Sequence, residues 1–230
     1  MQKSIGLVSI DLWGTLVKAE SSLFSLMANF LASQSALNPT ETAMIIRNLG
    51  HIFDERALNS GVDVSSRDKL TRLIRECGIQ ELDGRHMEKI LAEHVANIPL
   101  ILFEPMCVEV INRIEDRGVR IAYASNSGFI GAQLMRSELR RLGLLDPHGV
   151  RWGVFSDELG IAKPNSRFFD FVRRDFLPNE VLHVGDDIIA DIQGATAAGI
   201  RAVLVDRSGK YSQGARCKVT NSLVTLFDDL

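Results

Sequence analysis

Apolar residues follow two rhythms along this chain. Across residues 18–97 the spacing is helical: Leu23, Leu26, Met27, Phe30 and Leu31 form one group, and Ile45, Ile46, Leu49, Ile52 and Phe53 a second. Leu70, Leu73 and Ile74 form a third, and Met87, Ile90, Leu91 and Val95 a fourth. Recurrence near the helical period puts each group on one face, so the stretch predicts four amphipathic helices packed through their stripes. Asn38-Pro39 is a start signal for the second, Ser65-Ser66 for the third, and Gly78 a stop, which makes these separate helices rather than one rod. Outside this stretch the texture changes. Residues 5–10 are short, largely apolar and rich in β-branched side chains, and run into Asp11 and Gly14, the pattern of a buried strand giving way to a turn.

Past Pro99 helices and strands alternate. The pattern predicts helices near 106–117, 130–142, 165–174 and 189–198, and strands near 119–124, 153–156, 181–184 and 201–205. Elements taking turns in this way specify an α/β fold, a doubly wound parallel sheet covered on both faces with right-handed crossovers. The expected division is a core of residues 1–17 and 98–230, with a small α-helical cap domain, residues 18–97, inserted after the first strand. Doubly wound sheets bind ligands beyond the carboxyl ends of their strands, so an insertion at that end is placed to act as a lid.

Composition narrows the class. Hydrophobic residues make up 46% of the 230 and charged residues 24%, which excludes a disordered chain. The 26 basic residues are offset by 29 acidic ones spread along the sequence, for a net charge of −3. No global attraction to nucleic acid or an anionic membrane follows, and the expected partner is a small-molecule substrate. Cys77, Cys107 and Cys217 lie far apart and are odd in number, so neither a disulfide framework nor a CxxC metal pattern is present, and a reducing, cytoplasmic setting fits. The apolar run before Asp11 is too short for a signal sequence, and no run is long enough to span a bilayer.

In a parallel sheet the carboxyl ends of the strands gather at one edge. Here those ends carry Asp11, Ser125-Asn126 and Asp186-Asp187, while Lys163 enters from the loop after the strand near 153–156. Several carboxylates, one hydroxyl and one cation therefore converge. Singly, each has a structural explanation: an aspartate at a strand end caps a helix, Asp186 and Asp187 after Gly185 suit the same job, and Asn126 suits a turn. His183, inside an apolar strand, reads as a satisfied core histidine. His51, His86, His94 and His148 show no metal-binding spacing, and Asp228-Asp229 reads as a solvated end.

Taken together, four stretches carry a resemblance. Asp11-Leu12-Trp13-Gly14-Thr15-Leu16, Ala124-Ser125-Asn126, Gly160-Ile161-Ala162-Lys163-Pro164, and Gly185-Asp186-Asp187 with Asp191 resemble, in that order, the four motifs of the haloacid dehalogenase (HAD) superfamily. The resemblance covers the chain apart from the helical insert. It implies that Asp11 is a nucleophile that forms a covalent aspartyl intermediate, splitting one hard displacement into two easier ones. It implies Mg²⁺ held by the Asp11 carboxylate, the main-chain carbonyl of Trp13 and Asp186, with Asp187 and Asp191 beside them, neutralising an anionic phosphoryl group. Lys163 would add a fixed positive charge and Ser125 a hydroxyl, with Gly14, Thr15 and Asn126 as substrate-binding groups.

One position departs from the pattern. Phosphatases of this superfamily carry a second aspartate two residues after the nucleophile as general acid and base, and this chain has Trp13 there. Such help is worth about 10²–10⁴ in rate, roughly 3–5 kcal/mol. The leading expectation is a Mg²⁺-dependent hydrolase of a small phosphorylated metabolite acting through an aspartyl phosphate, whose leaving group is good or whose acid comes from the lid. A 2-haloacid dehalogenase, similar in having an aromatic residue at this position and needing no leaving-group acid, is the alternative, although that branch works without metal. Phosphonate cleavage would need a Schiff-base lysine from the lid, with Lys69 and Lys89 unassigned, and a non-catalytic binding protein is the reading from a different class.

Overall fold

The computed structural model describes residues 4–146, 150–211 and 217–228; His148 and Asp229 lie outside them. In chain order the first half runs β1 (Leu7–Ile10), β2 (Val17–Lys18), α1 (Ser21–Ser33), α2 (Pro39–Ser60), α3 (Ser66–Glu76), α4 (Gly84–Asn97) and β3 (Ile101–Leu102). The second half runs α5 (Cys107–Asp116), β4 (Arg120–Ser125), α6 (Ala132–Arg141), β5 (Trp152–Phe155), α7 (Ser156–Leu159) and α8 (Ser166–Arg173). It finishes with β6 (Val181–Gly185), α9 (Gly194–Ala197), β7 (Arg201–Val205), β8 (Lys218–Thr220) and α10 (Leu223–Asp228).

Six strands form one parallel sheet in the order β5-β4-β1-β6-β7-β8. The chain leaves β1 to one side for β4 and β5, then returns to the other side for β6, so the reversal falls at β1 and opens the crevice at its carboxyl end. All four β1 residues are buried because both faces of the sheet are covered. Val8 and Ile10 pack with Val110, Ile111 and Ile114 of α5 and Met135 and Leu139 of α6. Leu7 turns to the opposite face, into a cluster with Phe168, Phe169 and Val172 of α8. The alternation of side chains along a strand thus builds both halves of the core.

Helices α1–α4 lie between β2 and β3, which pair antiparallel, Val17 with Leu102, at the base of the insert. The start and stop signals act as expected. Asn38 accepts from the Thr40 and Glu41 amides while Glu41 reaches back to the Asn38 amide, a capping box with Pro39 in the first turn. Ser65 caps α3 through the Asp68 amide. The apolar stripes are buried, with Leu23, Met27, Ile46, Leu49, Leu70, Leu73, Met87 and Leu91 all in one cluster; Ile52, assigned to a stripe from its spacing, is exposed instead.

The turn between α2 and α3 is tied to the core. The Ala162 amide donates to the Gly61 carbonyl (3.0 Å) and the Asp63 amide to the Gly160 carbonyl (3.2 Å). Lys69, 2% exposed, lies 2.8 Å from Asp63, which also accepts from the Ser156 hydroxyl, and the ammonium reaches the Ser127 carbonyl. A buried ion pair with its remaining valences filled is stable in place, whereas removing one partner costs about 3–5 kcal/mol. This seam fixes α2 beside the segment that leads into Lys163, and it takes up Lys69 in a structural role.

Candidate active site

Asp11 is the first residue beyond β1, with its amide bonded to the Val184 carbonyl (2.8 Å) and its side chain buried. The Lys163 Nζ lies 2.6 Å from Asp11 Oδ1 and 2.6 Å from Asp191 Oδ1, and donates to the Ala124 carbonyl at 2.9 Å. Three acceptors occupy the three N–H groups of one ammonium. Lys163 is aimed here by Asn126, whose side chain donates to the Lys163 carbonyl and accepts from the Lys163 amide, both at 2.9 Å.

Asp191 is held from three further directions. Its Oδ2 accepts from the Asp187 amide (3.0 Å), and its Oδ1 faces His183 Nε2 (3.1 Å), whose Nδ1 faces the Ser9 hydroxyl (2.9 Å). Ser9 and His183 are register partners on β1 and β6, so neighbouring strands set this relay. Burial holds the His183 pKa below its ordinary value, and a neutral ring donating from Nε2 and accepting at Nδ1 satisfies both neighbours. The third carboxylate, Asp186, accepts from the Thr15 hydroxyl at 3.0 Å. Gly14 allows that approach: its φ is +78°, and a Cβ there would overlap the Asp186 carboxylate. Arg207 braces the same turn through the Gly14 and Thr15 carbonyls (2.8 and 2.7 Å) and is itself paired with Glu104 at 2.9 Å.

Asp11, Asp186 and Asp191 present carboxylate oxygens within 4.8 Å of one another. Asp11 Oδ2 is buried and has no hydrogen-bond partner, an acceptor whose desolvation is uncompensated. Burial pushes the Asp11 carboxyl up to about 8; Lys163 pulls against this, and the Asp191 and Asp186 charges add to the rise. Asp191, which burial alone would raise, is held well below the usual carboxylate range by Lys163 and His183. Lys163 in turn stays protonated despite burial because Asp11 and Asp191 flank it. Burial and Asp191 also raise Asp186. Three carboxylates with one orphaned oxygen and only one ammonium form an oxygen-only donor set short of positive charge, which fits a hard divalent cation.

A cavity of about 820 Å³ opens above this cluster. Its floor is Asp11, Trp13, Asn126, Lys163, Asp186, Asp187 and Asp191; its apolar wall includes Phe24, Ile46, Phe53, Phe129 and Ile130; and α2 contributes Arg47, His51 and Asp54.

The sequence-expected residues therefore divide. Asp11, Lys163, Asp186 and Asp191 meet at one point, with Trp13 beside them. Asp187 does different work from the metal ligation expected of it: its Oδ1 accepts from the Ile189 and Ala190 amides (2.7 Å each) and caps the π-helical turn Ile188–Gln193. Ser125 is buried with its hydroxyl turned onto the Asn126 carbonyl at 3.3 Å, and it does not line the cavity. Thr15 and Asn126, expected on the substrate, bond to Asp186 and to the Lys163 backbone. His183 is the satisfied core histidine expected, and one of its bonds reaches the site. Sequence reasoning missed Arg207, whose signal is purely tertiary, and the polar residues of α2, whose spacing reads as a solvated helix face.

Comparison with known proteins identifies the family and the fold. Residues 5–199 match the family model described as haloacid dehalogenase-like hydrolase. A ribulose-1,5-bisphosphate 5-phosphatase from Halopiger xanaduensis is 37% identical over 106 residues, 45% of this chain and 42% of that protein, so the chain spans under half the length of this relative. A HAD phosphatase from Thermococcus onnurineus superposes with a TM-score of 0.67 at 18% identity, covering 98% of this chain and 97% of the other. A 2-haloacid dehalogenase from Pseudomonas syringae does so with a TM-score of 0.64 at 22% identity, covering 97% of each. Phosphatase and dehalogenase structures thus share the fold equally, and the family match over most of the length places this chain in the haloacid dehalogenase-like hydrolase family.

Proposed function

We propose that this chain is a Mg²⁺-dependent phosphomonoester hydrolase that acts on a small phosphorylated metabolite through an aspartyl phosphate on Asp11. The observation that carries the reading is the convergence of Asp11, Asp186 and Asp191 on one point, with Asp11 Oδ2 unengaged and Lys163 bound to Oδ1. A metal-free dehalogenase would bring an anionic haloacid onto a three-carboxylate cluster that one ammonium, Lys163, touches, with Arg47 elsewhere in the cavity lining; a phosphatase site needs that acidity to hold its cation. Curated relatives named as phosphatases support the same choice.

Mg²⁺ would be held by Asp11, Asp186 and Asp191, and when bound it supplies charge neutralisation for the phosphoryl oxygens. The remaining work belongs to the chain. Lys163 fixes the Asp11 carboxylate by one oxygen and leaves the other to attack phosphorus, while its positive charge favours the ionised form that burial opposes. His183 and the Asp187 amide hold Asp191, and Thr15 holds Asp186, so the acidic groups are oriented before substrate arrives. The apolar wall excludes water and receives the organic part of the ester.

An aryl phosphate assay with Mg²⁺, with EDTA, and with Asp11→Asn tests the reading. Turnover that requires the metal and disappears in the variant is the expected result. Halide release from 2-chloropropionate that persists in EDTA would replace it with dehalogenation, and absence of both activities would replace it with a binding role.

A further inference from the structure

The leaving alcohol of an unactivated phosphate ester departs as an alkoxide unless it receives a proton, and the floor of the cavity has none to give. Trp13 carries no acidic proton. Lys163 has all three N–H groups bonded, the Asn126 amide is engaged with the Lys163 backbone, and Asp187 is an N-cap. Helix α2 also lines the cavity, where Arg47, His51 and Asp54 recur at helical spacing on the face turned to the same space as Asp11. Arg47 does not deprotonate under ordinary conditions. Among the described residues, no hydrogen bond or ion pair takes up the Asp54 carboxyl group, so it enters the cavity uncommitted.

We infer that Asp54, supplied by the helical insert, is the general acid and base of the reaction, standing in for the side chain that Trp13 lacks; this rests on the phosphomonoesterase reading above. In the first half, the bond from Asp11 to phosphorus forms as the bond from phosphorus to the ester oxygen breaks, and the Asp54 proton passes to that oxygen, which leaves as a neutral alcohol. In the second half, the Asp54 carboxylate takes a proton from water as the water oxygen bonds to phosphorus. The bond to Asp11 then breaks, inorganic phosphate leaves and Asp54 is again protonated.

The surroundings of Asp54 suit the task. Asp54 is exposed to the cavity, and partial desolvation by its walls raises its pKa above the ordinary value; Lys69 and His51 pull it down, and Asp63 and Asp187 push it up. Asp54 lines the same cavity as Asp11, Asp186 and Asp187. The seam between the α2–α3 turn and residues 160–162 keeps this helix in register with Lys163. A proton donor on α2 is therefore positioned by the same contacts that position the cation.

The experiment compares kcat/KM for an alkyl phosphate and for p-nitrophenyl phosphate, with Mg²⁺, in the wild type, Asp54→Asn and His51→Gln. Because kcat/KM reports only steps through P–O cleavage, an aryl ester with a good leaving group is insulated from loss of the acid. Asp54→Asn is expected to lower the alkyl value by about 10²–10⁴ and the aryl value only several-fold, with His51→Gln sparing the ratio. The alkaline fall in the alkyl kcat/KM, where the acid ionises, should also vanish in Asp54→Asn. Equal losses on both esters, or a ratio changed by His51→Gln and unchanged by Asp54→Asn, would overturn the assignment while leaving the phosphatase reading intact. A wild type inactive on every phosphomonoester would overturn both.

Discussion

Lys163→Met removes the cation at the centre of the site while keeping a similar apolar stem. In the wild type its ammonium lies 2.6 Å from both Asp11 and Asp191 and is 1% exposed, so the variant leaves two buried carboxylates facing each other without a counter-charge. Removing one member of a buried ion pair costs about 3–5 kcal/mol. For a domain of this size each kcal/mol corresponds to about 2–4 °C in melting temperature, so the metal-free variant should melt roughly 6–20 °C lower. The deficit should also depend on pH, with a sign set by Asp191. Lys163 holds the folded-state pKa of Asp191 below its unfolded value, a contribution that is present above about 4 and lost as the pH falls further. The gap between the two proteins should therefore be full from neutral pH down to about 4 and narrow as the pH falls below it. Thermal melts of both proteins in EDTA across this range provide the assay. A gap of only a degree or two, or one of constant size at every pH, would refute a charge-based role for Lys163.

Asp11 has the opposite sign. Its folded-state pKa is raised to about 8, so its contribution to stability is present below its unfolded value near 4 and lost as the pH rises to 8. In EDTA, wild type minus Asp11→Asn stability should fall over that window by up to about 1.4 kcal/mol per pH unit and level off above it; urea titrations at several pH values check this. Thr15→Val deletes the hydroxyl that orients Asp186. It should weaken Mg²⁺ binding about 10–100-fold by calorimetry with little change in melting temperature, the usual size of an effect exerted through a ligand's own hydrogen-bond partner.

The strands and their carboxyl-end residues were legible because both signals are local. A short β-branched run followed by Asp11, or by Gly185-Asp186, announces a buried strand and the polar group at its tip, and β7 falls on the residues expected. The four insert helices were legible for the same reason, down to the Asn38 and Ser65 caps. Residues that act through direction were not. Asp186 and Asp187 are adjacent carboxylates, and only the turn that follows decides that one faces Thr15 and Asp11 while the other bonds to the amides of its own turn. Arg47, His51 and Asp54 look like any polar face of a long helix until α2 is seen lying over the crevice. Arg207 and Glu104 are remote in sequence, and the strands β2, β3 and β8 are too short to show a period. The helix expected over 189–198 opens instead as a π-helical turn, which brings Asp191 under Lys163.

Turnover by this route passes through a phosphorylated Asp11. Acid quenching of the enzyme during turnover of a phosphomonoester with Mg²⁺, followed by peptide mass spectrometry, reads this directly. The predicted result is a phosphoryl adduct on the peptide containing Asp11, lost in Asp11→Asn and convertible to homoserine at position 11 by borohydride. Steady turnover with no such adduct, or turnover that survives Asp11→Asn, would contradict it.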